Sequence, residues 1–165
     1  HTPEPIELSA IAADLAELYE PVIDDAGGSM IANIEENLVV HGNRELIGQA
    51  LTNLIDNAIK YRAEKDPQIQ IRGRKREDGS SVELIVQDNG PGIEAKDHDR
   101  VLKRFVRLDE SRSESGSGLG LSLVSAIMNQ HKGSIHFEDA KPGLRAVLSF
   151  PLTQAKATRS KKDKT

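Results

Sequence analysis

Apolar side chains return at three- and four-residue intervals along residues 43–61, NRELIGQALTNLIDNAIKY. Leu46, Ile47, Ala50, Leu51, Leu54, Ile55, Ala58 and Ile59 therefore fall on one broad stripe of a helix, and Asn43 suits its N-cap. The edge of that stripe is polar. Asn53, Asn57 and Tyr61 stand four apart with Lys60 beside them, and residues at that spacing are surface neighbours. Two amides, an ammonium and a phenol thus share one ridge. Asparagine is a poor helix-interior residue because its side chain competes for backbone hydrogen bonds. Two of them on one edge either serve something outside the helix or cap a neighbouring loop.

A second helical pattern spans residues 9–24, with Ile11, Leu15, Leu18 and Val22 on its buried side, Ser9 as cap and Gly27-Gly28 as stop. HTPEP before it is Pro-punctuated and non-periodic, so residues 1–8 read as a linker or terminal edge. Residues 30–34 and 38–40 read as short strands joined by the turn-like Glu35-Glu36-Asn37. After the break at Asp66-Pro67, residues 68–74 alternate as a half-buried strand. The hairpin turn Glu77-Asp78-Gly79 returns the chain through residues 82–87. Residues 93–117 are the least regular: a short helix is predicted over 94–104, and ESRSESGS then has nothing to bury. A loop that long in a compact domain is usually functional or disordered. GSGLGL opens a helix to about residue 130 with Leu123, Val124, Ile127 and Met128 as its core face, and Gly133 stops it. Strands over 134–138 and 144–152 close the chain around the turn Lys141-Pro142-Gly143. The result is an α+β sandwich, one mixed, mostly antiparallel sheet with three main helices on one face. No internal repeat is visible.

Composition narrows the class. The chain has 165 residues, 37% apolar content and no cysteine, which fits one domain with a real core and excludes disulfides and cysteine-ligated metals. No apolar run approaches the roughly 18 residues of a membrane span, and no secretory signal opens the sequence, so a cytoplasmic setting is expected. The net charge of −4 hides a split: residues 153–165 carry five Lys/Arg and one Asp, or +4, leaving −8 on residues 1–152. An acidic body argues against nucleic-acid binding. The basic tail lacks a core-forming pattern and is expected to be solvated and disordered. Residues 9–152 are read as the folded domain.

Two turns carry candidate chemistry. In Asp88-Asn89-Gly90-Pro91-Gly92 the glycines permit positive φ and close approach of a ligand to backbone. Asp88 is a good acceptor for an exocyclic amino group such as that of adenine; an ordinary Asp-Asn-Gly turn is the alternative. In Gly116-Ser117-Gly118-Leu119-Gly120-Leu121 glycine amides at a helix start favour a phosphate. It is neither the lysine-bearing phosphate loop nor the dinucleotide fingerprint, since Leu121 stands where the third glycine of the latter belongs.

Taken in order, the Asn-rich helix, DNGPGI, RFVRLDESRS and GSGLGLSLV resemble the ATP-binding domain of sensor histidine kinases and, more widely, the gyrase, chaperone and mismatch-repair ATPases. The match runs from about residue 43 to 131. It implies the Bergerat ATP-binding fold, a two-layer α/β sandwich with a mobile ATP lid, and ATP and Mg²⁺ as ligands. By this resemblance Asn57 is the magnesium ligand and Asn53 its companion, with Lys60 and Tyr61 on phosphate or ribose. Asp88 reads adenine, Gly90 and Gly92 hinge the lid, and Ile93 completes that nucleotide-binding motif. Phe105 belongs to the phenylalanine box, and Arg107 and Arg112 are lid cations for the γ-phosphate. Gly116, Gly118 and Gly120 cradle phosphate, with Ser117, Leu119 and Leu121 of the same turn also touching nucleotide. Asn53, Asn57, Lys60, Arg107 and Arg112 would be the catalytic set. An Asn oxygen is a hard neutral donor suited to Mg²⁺.

The resemblance also implies partners: a dimerising helical hairpin bearing the acceptor histidine, and a response regulator. The parent chain would be a homodimer, with anchoring at the inner membrane compatible with the resemblance, and the isolated domain a monomer. None of His1, His41, His98, His131 or His136 sits in an acceptor setting or has a partner at metal-ligand spacing, so all five read as surface or packing residues. The hydrolysing relatives carry a glutamate one turn before the magnesium Asn. Here that position is Asn53, which is no base, favouring transfer to a protein over hydrolysis. Two readings of other kinds stay open, a nucleotide-gated interaction module and an anti-sigma-type serine kinase.

Overall fold

The computed structural model describes residues 3–62, 64–103 and 117–152, with residues 117–119 described by their backbone alone. In chain order the elements are β1 (Glu4–Glu7), α1 (Leu8–Asp25), β2 (Ser29–Ile34), β3 (Val39–Gly42), α2 (Arg44–Lys60), β4 (Gln68–Lys75) and β5 (Ser81–Gln87). A 3₁₀ turn (Ala95–Asp97), α3 (His98–Val101), α4 (Ser117–Gln130), β6 (Ser134–Asp139) and β7 (Leu144–Pro151) complete them. Five strands form one sheet in the order β2-β4-β5-β7-β6, and β1 pairs with β3 in a separate ladder. Only β2 and β4 run parallel in the large sheet. Helices α1, α2 and α4 pack on one of its faces, giving the mixed two-layer sandwich expected.

Alternation along β5 shows how the layers meet. Val82, Leu84 and Val86 point into the core, in register with Phe150, Leu148 and Ala146 of β7. Against them α2 buries Ile47, Ala50, Leu51, Leu54, Ile55 and Ala58, the stripe read from its spacing. Burying its four large aliphatics contributes on the order of 6–12 kcal/mol before ordering entropy is subtracted. Asn43 caps the helix as expected, its Oδ1 accepting the Leu46 N–H at 3.0 Å.

Several expectations fail for identifiable reasons. The segment read as a linker up to residue 8 carries β1, whose Ile6 is buried together with Leu8. A short strand with one inward side chain has too little periodicity to betray itself. Ser9 is not the cap of α1; Glu7 occupies that position, and Ser9 Oγ donates to the Glu35 carbonyl and accepts the Leu38 N–H. The stripe of α1 is also rotated. Leu18 and Val22 are 67% and 49% exposed, while Ala12, Ala16 and Ile23 are buried with Ile11. Alanines let the helix approach the sheet closely, and a reading weighted to large side chains misses them. Leu123 is likewise 37% exposed, whereas Val124, Ile127 and Met128 face inward. The two short strands read after α1 are present as β2 and β3, and they belong to different sheets. The helix predicted over 94–104 is a 3₁₀ turn followed by the four-residue α3. The packing role expected of the histidines fits His98 and His131, ring-edge against Phe137 and Phe150, and His41 and His136 are exposed; His1 lies outside the described residues.

Candidate functional site

The last two turns of α2 face the first turn of α4. Asn53 Nδ2 donates to the Gly120 carbonyl at 3.4 Å. One turn on, Asn57 is half-buried, and its amide nitrogen is fully buried without a hydrogen-bond partner among the described residues. A β-carbon on Gly120 would stand 3.7 Å from that nitrogen, so the amide lies directly under the glycine turn. An unpaired amide in such a place is costly unless something completes its bonding. At the helix end, Tyr61 donates its N–H to the Asn57 carbonyl at 3.0 Å, and the Lys60 ammonium is 6.0 Å from the Tyr61 ring centre. Both side chains reach solvent at the rim.

Asp88 stands where β5 leaves the sheet. Its Oδ1 accepts the N–H groups of Gly90 (2.9 Å) and Leu144 (3.1 Å), while Oδ2 makes no hydrogen bond among the described residues and is not sealed off. Burial pushes this carboxyl above its ordinary 3.8, and the two backbone bonds oppose that shift without cancelling it. The turn after it is wedged between two elements. A β-carbon on Gly90 would lie 3.0 Å from the Tyr61 carbonyl, which puts the turn against the end of α2. Gly92 takes φ +77°, with the Gly143 carbonyl 3.0 Å from where its β-carbon would be. Asn89 clamps the other side: its Oδ1 accepts the Gln68 N–H at 3.0 Å and its Nδ2 donates to the Asp66 carbonyl at 3.1 Å. Ile93 packs on the core, and His98 Nε2–H donates to its carbonyl at 2.9 Å.

The structure thus brings Asn53, Asn57, Tyr61, Asp88, Gly90 and Gly120 to one rim and adds Ile93 behind it. Ser117, Gly118 and Leu119 form the start of α4, and Leu121 is half-buried against the core. Phe105, Arg107, Arg112 and Gly116, within the stretch 104–116 of the expected lid, lie outside the described residues. Sequence reasoning missed Gly143 and Leu144. Gly143 adopts φ +103°, and a β-carbon there would collide with the Asp88 carbonyl; Leu144 holds Asp88 from both sides, donating to its carboxylate and accepting its N–H. Lys-Pro-Gly signalled a turn, but only the β5–β7 register shows which turn it touches.

Residues 42–154 match the family of histidine kinase-, DNA gyrase B-, and HSP90-like ATPases. The chain belongs to this ATPase family. It is 33% identical over 149 residues to the sensor-like histidine kinase SenX3 of Mycobacterium bovis, covering 89% of this chain and 35% of that protein. The chain therefore spans about a third of the length of that curated relative. Among solved structures, the catalytic domain of histidine kinase ThkA superposes with a TM-score of 0.79 at 25% identity, covering 92% of this chain and 98% of that one. The mycobacterial sensor histidine kinase MprB gives 0.76 at 26%, covering 90% and 97%. ThkA has also been solved in complex with the response regulator protein TrrA. These relatives make the chain an ATP-binding domain of the sensor histidine kinase type. No helix among its described residues is long and apolar enough to cross a membrane.

Proposed function

We propose that this domain binds Mg-ATP between α2, the Asp88 turn and the start of α4, and that it passes the γ-phosphoryl group to a histidine of a separate dimerisation domain. The observation that carries the reading is the amide of Asn57, buried beneath Gly120 with its nitrogen unpaired among the described residues. The donor set fits the group. A neutral Asn oxygen suits Mg²⁺, whose remaining positions phosphate oxygens and water would fill, and the bound ion would neutralise charge on the triphosphate. Asp88 Oδ2 would accept from the adenine amine, and Lys60 and Tyr61 would serve phosphate or ribose at the rim. Arg107, Arg112 and Phe105 are assigned to the lid by their motif.

Phosphoryl transfer is chiefly positioning and charge neutralisation. Asn53 spends its amide on Gly120 and has no basic group with which to activate water, which supports transfer over hydrolysis. The acceptor hairpin, a response regulator, a homodimeric parent and a cytoplasmic setting belong to the same proposal. So does a domain division in which residues 9–152, joined by β1, form the catalytic unit and residues 153–165 a basic tail. The experiment supplies a cognate helical hairpin in trans with ATP and Mg²⁺. An acid-labile, base-stable phosphohistidine should form with the wild-type domain and not with Asn57→Ala. Turnover by the isolated domain at or above ~1 s⁻¹, the low end of ordinary enzymes, would favour a hydrolase instead.

A further inference from the structure

We propose that His131 is a positioning residue that sets the register of α4, and so of its glycine turn, against Asn53 and Asn57. The proposal rests on the nucleotide reading above for its consequence but on the apo geometry for its content. Helices α2 and α4 run antiparallel: the start of α4 lies at Asn53, and its end lies at the start of α2. Two polar ties between them are seen among the described residues. At the site end Asn53 Nδ2 reaches the Gly120 carbonyl at 3.4 Å, and at the far end the Asn43 N–H donates to His131 Nε2 at 3.0 Å.

The ties are spaced alike on both helices. Ten residues separate Asn43 from Asn53 and eleven separate Gly120 from His131, about 15 and 16 Å at 1.5 Å per residue. Together they oppose sliding of one helix along the other. The tie at the site is long and correspondingly weak, so the register is held mainly from the far end.

The imidazole is fixed well enough for that task. Nδ1 lies 2.8 Å from the Ile127 carbonyl, which can only accept; Nδ1 therefore carries the proton, and Nε2 offers its lone pair to Asn43. The ring stands edge-on to Phe150 of β7, with centres 6.3 Å apart. On its remaining side Gly42 leaves the room it needs, for a β-carbon there would run into the ring. Asn43 also caps α2 through its own side chain, so the α2 cap and the end of α4 form one unit. Small misplacements matter in such a site: ~1 Å can cost on the order of 100-fold in rate.

The test titrates Mg-ATP and adenosine into the full chain by calorimetry, for wild type and four variants, with thermal melting alongside. His131→Phe keeps a ring against Phe150 and loses both hydrogen bonds; ATP affinity should fall about 10-fold (~1.4 kcal/mol) while adenosine affinity, read at Asp88, stays within about 2-fold. His131→Asn, too short to reach Asn43, and Gly42→Ala, which displaces the ring, should act like the Phe variant. His131→Gln, whose terminal oxygen extends towards the Nε2 position, should bring ATP affinity back to within about 3-fold of wild type. Lower melting temperatures with unchanged ATP affinity, or equal losses for ATP and adenosine, would make His131 a stability residue only and overturn the proposal. Should the wild type bind no ATP, the nucleotide reading fails on its own account. His131 is then judged by hydrogen exchange at Gly120 and Leu121, faster in His131→Phe if the tie sets the register and unchanged if it does not.

Discussion

Replacing Asp88 by asparagine separates recognition from folding. In the wild type Oδ1 accepts the Gly90 and Leu144 N–H groups, and Oδ2 makes no hydrogen bond among the described residues. The asparagine oxygen can keep both backbone bonds, which leaves an NH₂ group where Oδ2 stood. An adenine amine then meets a donor instead of an acceptor. Losing one charge-assisted hydrogen bond is worth about 1.5–3 kcal/mol, so ATP affinity should fall roughly 10- to 100-fold. Stability should move the other way or not at all. The folded carboxyl sits above its ordinary 3.8 because burial disfavours its charge. Its contribution to folding is therefore fully present below about 3.8 and lost as pH rises through the raised folded value. At neutral pH the ionised group costs stability, and Asp88→Asn removes that cost. Calorimetric titration at neutral pH with parallel melting curves measures both quantities. Wild-type ATP affinity should also decline as pH falls through the raised value, and that of the variant should not. Equal affinities would refute the adenine assignment, and a lowered melting temperature in the variant would refute the account of its burial.

Other outcomes test the frame around that turn. Gly143→Ala should destabilise by about 3 kcal/mol or more, because it needs φ +103° and would force a side chain onto the Asp88 carbonyl; urea unfolding would read this. Tyr19→Phe removes the 2.6 Å bond to Asp56 that joins α1 to α2 and should cost about 0.5–1.5 kcal/mol. The same phenol should resist ionisation in an alkaline absorbance titration, since burial first and then Asp56 raise its value above 10. Leu18→Ser and Val22→Ser should each change stability by less than about 0.5 kcal/mol, as exposed positions do, and a larger loss would contradict the rotated face of α1.

How much was legible follows from the kind of information each feature needs. Helix α2 could be read completely, including its cap and its polar ridge, because periodicity and capping are local and its apolar residues are large. The hairpin β4–β5 was equally plain, since alternation and an Asp-Gly turn fix it within some twenty residues. The face of α1 was not, because alanine contacts look like neutral positions until the sheet is present. β1 depends on pairing with β3, which four residues of sequence cannot announce. At the candidate site, Asp88, Asn53 and Asn57 were singled out from chemistry and order, and the structure places them at one rim. Gly143 and Leu144 were not, since their importance exists only through a strand register that joins residues 56 positions apart.

That difference separates the two ends of the site. Around Asp88 the backbone is over-determined: Gly90, Gly92 and Gly143 pack against neighbouring carbonyls, and Asn89 and Leu144 close the remaining directions. On the proposed reading, a base docking there would meet hydrogen-bond groups that are already held in place, so little ordering cost would be set against its contacts. Around Asn57 the opposite holds. Among the described residues a buried amide nitrogen lacks a partner, and one direct hydrogen bond, 3.4 Å long, runs from Asn53 of its ridge to Gly120. Polar capacity left unused in a half-buried place is free energy still to be gained, and on the proposed reading a phosphate oxygen would accept from that amide nitrogen. Affinity should therefore reside mainly at the preformed base end, and the conformational consequence of binding at the phosphate end, where the bonding is incomplete until the ligand arrives.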